Sequence, residues 1–160
     1  MKKILTVLML LIGMNVTAQE VYNELRQKNK TVIENPQSND FARKISQFKV
    51  DALNYMAIKV QEEIPDSSVY FLDRQALAMN KYVTFYIQKL IELNNMPQSL
   101  QTQMTKMFMD VSRENPLFKD KDKEMVLSYY NSGESLTRFS LDTDWEKALE
   151  TIEKKMKSNQ

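Results

Sequence analysis

The sequence predicts an all-α protein that folds as a single-domain antiparallel helical bundle of about five to six helices. Gly133 is the only glycine after residue 18, against a usual share of about 7%. The chain also lacks the Asn-Gly and Asp-Gly pairs that close tight β-hairpins. Its four prolines fall between long stretches with helical apolar spacing, where proline interrupts a helix: Pro36, Pro65, Pro97 and Pro116.

The first 18 residues have the pattern of a cleaved export signal. Lys2 and Lys3 precede an apolar run from Ile4 to Met14, and Val16 and Ala18 are small residues at the −3 and −1 positions. The run is shorter than the about 20 apolar residues that cross a bilayer, and no later stretch is longer. We therefore expect cleavage after Ala18 and an exported protein, periplasmic or secreted, that has no membrane span.

Residues 19–160 are expected to form the single helical domain. Removing the two lysines of the leader from 22 basic residues leaves 20, against 21 acidic residues, a net charge of −1. A nearly neutral chain gains little from neutralising phosphates, so we expect no nucleic-acid partner.

Cysteine and histidine are both absent from the chain. Their absence excludes Ser-His-Asp and Cys-His nucleophilic sites, histidine proton shuttles at neutral pH and nearly all structural zinc sites. We expect no cofactor, and the apolar core alone must stabilise the fold.

Apolar residues at helical spacing predict six helices, at about 21–34, 40–64, 69–93, 98–114, 122–130 and 143–157. Suitable capping residues stand at several of the predicted ends. The candidates are Asn39 or Asp40 for the second helix, Ser67 or Ser68 for the third, Gly133 at the end of the fifth, and a Thr143–Glu146 capping box for the sixth.

The third predicted helix is apolar over most of its circumference, which places it at the centre, in a long hairpin with the second. Phe85 lies between Tyr82 and Tyr86 in the sequence and is expected to bridge two neighbouring helices. Truncating it to alanine should cost about 3–5 kcal/mol. Asp73 and Lys81 fall on a narrow polar strip, where substitutions should change stability by no more than roughly 0.5 kcal/mol.

Three short segments could carry chemistry, although each has a simpler structural interpretation. Met104 and Met107 share a helix face and could bind a soft metal, but methionine more often fills a core. Glu134 follows a glycine and precedes a serine, as does the catalytic glutamate of helical lytic transglycosylases, but the glycine-rich motif of that family is missing. The run from Asp120 to Glu124 opens like a calcium loop and lacks the required later ligands.

Six aromatic residues have two possible roles. They could line a pocket or an interface, or they could lie half-buried in the core, and only their exposure distinguishes these roles. They are Tyr70, Tyr82, Tyr86, Tyr129, Tyr130 and Trp145.

The exclusions favour a non-enzymatic binding or interaction protein of the cell envelope, with a protein partner or a small ligand. The alternative is a carboxylate-dependent hydrolase of envelope polysaccharide. Without histidine its general acid would be an Asp or Glu with a pKa raised by burial, for which Glu134 is the candidate.

The leader ends in Val16-Thr-Ala-Gln-Glu20, which resembles export signals of Bacteroidetes, where glutamine often follows the cut. The body is similar to small uncharacterised secreted proteins of that phylum, a resemblance that implies a lineage and a location and assigns no activity. It is carried by Phe48-Lys-Val-Asp-Ala-Leu-Asn-Tyr55, Pro65-Asp-Ser-Ser68, Asn115-Pro-Leu-Phe118 and Phe139-Ser-Leu-Asp-Thr-Asp-Trp145.

Overall fold

The structure is a computed structural model, and it describes residues 20–68, 70–120, 126 and 138–158. Within these residues the protein forms five bounded helices. Among these residues the one β-type pairing is an isolated bridge between Pro116 and Thr143, so the all-α prediction is confirmed. The helices are α1 (Glu20–Glu34), α2 (Asp40–Glu63), α3 (Phe71–Glu92), α4 (Gln98–Glu114) and α5 (Trp145–Ser158).

The two longest helices, α2 and α3, form the predicted antiparallel hairpin. Near their middles, Lys49 Nζ donates a hydrogen bond to Asn80 Oδ1 over 2.7 Å. At the end remote from the connecting turn, Phe41 and Ile91 line one shallow groove. The early part of α2 therefore lies beside the late part of α3.

Helices α1 and α5 pack along α3 in the same direction as α3. Both helices begin beside the first turns of α3. The backbone amide of Tyr22 in α1 contacts Asp73 of α3, and Glu146 in α5 contacts Arg74 of α3. Helix α4 also packs on α3, which makes α3 the central helix, as predicted.

Aromatic rings fill the centre of the bundle. Tyr82 and Tyr86 on α3 are fully buried, and both contact Phe108 of α4 with centroids 5.3 Å apart. Phe139 and Trp145 complete the cluster with tilted, edge-on contacts to Tyr82 at 5.7 and 5.5 Å. Such edge-to-face pairs add about 0.5–1.5 kcal/mol each beyond the burial of their area.

Phe85 contacts α4, as expected of a bridging residue, but it is only half-buried. Its ring meets that of Phe108 at 5.6 Å, and Lys89 Nζ lies 5.6 Å from its centroid on the outer side. The fully buried bridges between α3 and α4 are Tyr82 and Tyr86 instead.

The start of α2 follows the prediction, whereas the start of α3 differs. Asn39 Oδ1 accepts a hydrogen bond from the amide of Ala42 at 2.8 Å and caps α2. Tyr70 occupies the N-cap position of α3 and makes no side-chain capping bond. Ser68 Oγ accepts from the amide of Tyr70 at 3.3 Å, so this serine orders the turn before α3 rather than its first turn.

The predicted capping box at the start of α5 is wrong. Asp144 is the residue that caps this helix, with Oδ1 accepting from the amide of Lys147 at 3.2 Å. Thr143 is fully buried and its hydroxyl bonds to Ser112 Oγ at 2.8 Å, while Glu146 pairs with Arg74. The capping box does not form, because the Thr143 hydroxyl is bonded to Ser112 at the end of α4.

Asp73 also departs from its predicted place on a solvent-exposed strip. Asp73 is 5% exposed, because α1 covers that part of α3. Lys81, later on the same helix, is exposed as expected. Helical periodicity on α3 cannot show where a separate helix will lie, and so it misplaced this carboxylate.

Several predictions concern parts of the chain outside the described residues. They include the export leader and the predicted fifth helix with its glycine cap, of which Val126 alone is described, as a buried helical residue. None of the described helices combines the length and the apolar character needed to cross a membrane.

Candidate ligand-binding groove

A groove of about 740 Å³ runs between the second half of α3 and the first half of α4. This volume lies within the range of about 300–1,000 Å³ usual for small-ligand sites. Its described lining residues are Tyr86, Leu90, Asn94, Gln98, Gln101, Thr102, Thr105, Lys106, Met109 and Arg138.

The aromatic contacts between α3 and α4 set the shape of this groove. Tyr82 donates a hydrogen bond from its hydroxyl to the backbone oxygen of Phe108, which fixes the two helices to each other inside the core. One turn further along α3, the Tyr86 hydroxyl and Thr105 Oγ1 share a hydrogen bond of 3.3 Å at the floor of the groove. The floor therefore rests on buried residues, while its walls face solvent.

The walls carry neutral hydrogen-bonding groups. Asn94, Gln98 and Gln101 provide three carboxamides, and Thr102 and Thr105 provide two hydroxyls. Gln101 already donates to the backbone oxygen of Met96, and Thr105 is bonded to Tyr86. The donors and acceptors that are left suit a ligand that itself carries alternating donors and acceptors.

The charged members of the lining are basic. Lys106 forms an ion pair with Asp110 one turn later on α4, which partly neutralises it. Among the described lining residues none is an Asp or Glu. The described lining therefore offers no carboxyl group for acid–base chemistry.

The two methionines predicted as candidate soft-metal ligands lie on α4, close to this groove. Met104 and Met107 are half-buried and pack against the hydrophobic core. Met109, on another face of the helix, is 8% exposed and lines the groove. Both predicted candidates therefore have contacts in the hydrophobic core.

A second, smaller pocket of about 430 Å³ lies where the chain leaves α4 and returns to α5. Asp142 and Asp120 are the two acids among its described lining residues. One carboxylate oxygen accepts the amide of Phe118 at 2.8 Å, and the other accepts the amide of Asp120 at 3.0 Å. Burial nevertheless raises the pKa of Asp142 above its usual value. Arg113 and Ser140 also line this pocket.

Asp120 is held against α2 by two partners. Tyr55 donates its hydroxyl to Asp120 Oδ2 at 2.6 Å, and Lys59 Nζ lies 3.2 Å from the same oxygen. A hydrogen bond to Glu63, together with Asp120, raises the pKa of Lys59 despite the opposing effect of burial. Asp120 is thus already paired with a lysine, and the described residues contain no cluster of acids that could hold a metal ion.

Sequence reasoning found part of these sites and missed the rest. Glu134, the candidate general acid, lies outside the described residues, as do Tyr129 and Tyr130. Tyr86 was noted as an aromatic that could line a pocket, and its hydroxyl does so. The three carboxamides lie close together in the α3–α4 turn and on α4 but form no recognised motif, and only the packing of the two helices places them opposite Tyr86 and Leu90 of α3.

Comparison with known proteins gives no match, whether with protein families, with curated proteins or with solved structures.

Proposed function

We propose that this protein is an exported, non-enzymatic binding protein of the cell envelope, and that it holds a hydroxyl-rich ligand of the sugar class in the groove between α3 and α4. The observation that carries the proposal is the set of three carboxamides and two threonine hydroxyls along one groove of suitable volume. The export-signal pattern of residues 1–18 supports the location.

The carboxamides and hydroxyls of the lining favour a sugar chain. Carboxamides can donate and accept at once, and neighbouring sugar hydroxyls offer the complementary pair. Leu90 and Met109 provide apolar surface on the floor for the carbon-bearing face of a ring. An extended peptide presents donors and acceptors with a different spacing. Binding of peptides in place of sugars would therefore contradict the proposal.

The experiment is a titration of isotopically labelled protein with soluble peptidoglycan glycan fragments and with uncharged oligosaccharides, followed by amide chemical shifts. Shifts should concentrate on residues 86–109. The combined variant Gln98→Ala, Thr102→Val should weaken binding at least tenfold, since it removes two groups that can bond to the ligand. The matched control is Gln103→Ala, an exposed glutamine on the same helix that does not line the groove.

Two results would contradict the assignment of the groove to sugars. One is equal weakening of binding by Gln103→Ala, and the other is that the protein's amide shifts change only when unstructured peptides as long as the sugars are added. Absence of any saturable shift with every sugar would overturn the proposal as a whole.

One observation favours a second function, a carboxylate-dependent hydrolase. Asp142 has a raised pKa, lies beside Asp120 and lines a pocket, the features expected of a general acid with a neighbouring carboxylate. Its two backbone hydrogen bonds give it a structural role that competes with this interpretation. Turnover of envelope polysaccharide that is lost in Asp142→Asn or in Glu134→Gln, in a variant that keeps the wild-type urea midpoint, would establish the hydrolase.

A further inference from the structure

A second groove, of about 360 Å³, lies between the start of α2 and the end of α3. We call it the apolar groove, because four of its five described lining residues are apolar: Phe41, Ile87, Leu90 and Ile91, with Asn94 as the fifth. Phe41 is 46% exposed and Ile91 is 69% exposed, so two large apolar side chains meet solvent in one place. Adjoining exposed apolar residues, unlike single scattered ones, indicate a binding surface.

The apolar groove is continuous with the groove between α3 and α4. Leu90 and Asn94 line both, so they form a common rim at the end of α3. Helical geometry places Leu90 about 40° around α3 from Tyr86, and Ile91 about 140° around in the same sense. A ligand that rests on Tyr86 in the first groove can therefore extend across Leu90 and reach Ile91 in the second.

The two grooves offer different chemistry to the two ends of such a ligand. The groove between α3 and α4 presents carboxamides and hydroxyls, whereas none of the described residues that line the apolar groove is charged or carries a hydroxyl. The charges that flank Phe41 and Ile91 along the chain belong to ion pairs. Asp40 binds Lys44 at 2.7 Å, and Glu92 binds Lys89 at 2.6 Å. The apolar groove therefore suits a hydrocarbon chain.

We infer that the ligand is a glycolipid, whose sugar occupies the groove between α3 and α4 and whose hydrocarbon chain crosses Leu90 into the apolar groove. The inference rests on the sugar binding proposed above and names the class of sugar compound. Binding of the chain removes Phe41 and Ile91 from water together with the lipid. Each methylene that the groove covers should raise the affinity about twofold to fourfold, the upper value holding for complete burial.

The test is a titration of the labelled protein with methyl, hexyl and octyl maltosides, each kept below the concentration at which it forms micelles. The same headgroup is present throughout, so differences in affinity report on the chain. The dissociation constant should fall at least tenfold from methyl to octyl maltoside. The longer compounds should add amide shifts at Phe41 and at residues 87–94 to those caused by the sugar. Hexan-1-ol, which has the chain without the sugar, should bind at least tenfold more weakly than hexyl maltoside.

The variant Ile91→Ser should remove most of the dependence on chain length, because it replaces the most exposed apolar side chain of the groove with a polar one. Ile58→Ser is the matched control, since Ile58 is 57% exposed on α2 and lines neither groove. This control should retain the full dependence. Equal loss in the two variants would contradict the assignment of the chain to the apolar groove.

The outcomes separate this inference from the proposed function. Equal affinity for the three maltosides would overturn the glycolipid and leave sugar binding in the groove between α3 and α4 intact. Hexan-1-ol that binds as tightly as hexyl maltoside would also overturn it, since the surface would then recognise hydrocarbon alone, as a membrane-binding patch does. If no maltoside binds, the inference fails, and the titration with oligosaccharides decides separately whether the proposed function fails with it.

Discussion

Gln75 on α3 holds the first turn of α5 with both ends of its carboxamide. Nε2 donates to Asp144 Oδ1 at 3.0 Å, and Oε1 accepts the backbone amide of Trp145 at 2.7 Å. Gln75 is 1% exposed, so neither bond competes with water. Although burial opposes ionisation of Asp144, the hydrogen bond from Gln75 and the contacts with Lys147 lower its pKa.

Replacing Gln75 with alanine should destabilise the fold by about 2–3 kcal/mol. The change leaves the amide of Trp145 buried without its partner, and such groups cost about 1–3 kcal/mol each. Urea unfolding measures the loss. Gln88→Ala is the matched control on an exposed position of the same helix and should lie within roughly 0.5 kcal/mol of the wild type. Equal midpoints for the two variants would contradict the role of Gln75.

Asp73→Ala should cost about 1–3 kcal/mol, because it removes the cap from α1 and leaves the amide of Tyr22 without a partner. Lys81→Ala, on the exposed face of α3, should have little effect. The two substitutions were indistinguishable on sequence grounds, so a comparison of their urea midpoints tests the structure directly. Amide exchange should accelerate mainly in α1 for the Asp73 variant.

Truncation of Phe108 should be more costly than truncation of Phe85. Phe108 is fully buried and contacts both Tyr82 and Tyr86, so its removal leaves a cavity and should cost about 3–5 kcal/mol. Phe85 is half-buried, and solvent or neighbouring side chains can fill part of the space it leaves. Thermal or urea unfolding shows which of the two alanine variants is less stable. A less stable Phe85 variant would contradict the assignment of Phe108 to the centre of the core.

Stability should rise with pH between about 8 and 9.5 because of Lys49. Burial, with the nearby charge of Lys28, lowers the pKa of Lys49 from 10.5 to about 8. Between these values the unfolded chain binds more protons than the folded one, so the free energy of unfolding increases by up to about 1.4 kcal/mol per pH unit. Below pH 8 both states are protonated and the contribution is constant.

Urea unfolding at pH 7, 8, 9 and 9.5 measures this slope. Lys49→Met keeps the aliphatic volume and should abolish the slope, whereas Lys81→Met, on an exposed position, should retain it. The series stops below pH 10, because burial and the bond to Asp120 raise the pKa of Tyr55 and give an opposite dependence in more alkaline solution.

The elements predictable from sequence are those set by local spacing. Proline and glycine usage and the apolar period of α3 were sufficient to predict the class of fold and the central helix. Asn39 was predictable as a cap, because its bond to Ala42 is made within four residues of chain.

The contacts that sequence reasoning missed join residues remote in the chain. Asp73 and Tyr22 are 51 positions apart, and Ser112 and Thr143 are 31 apart. Thr143 followed by Glu146 is a sound local signal for a capping box, but a long-range bond to Ser112 takes the threonine hydroxyl. The groove was missed because its polar residues, which lie close together in the chain, face Tyr86 and Leu90 only when α3 and α4 pack together.

The parallel course of α1, α3 and α5 determines how the protein can be attached to a surface. Helix α1 begins beside Asp73, at the opposite end of α3 from Leu90 and Asn94 in the groove. These positions are separated by about 17 residues of helix, or about 25 Å. A tether or label placed before α1 would therefore leave the groove open to solvent, whereas one placed after α5 would project towards the groove end of the bundle.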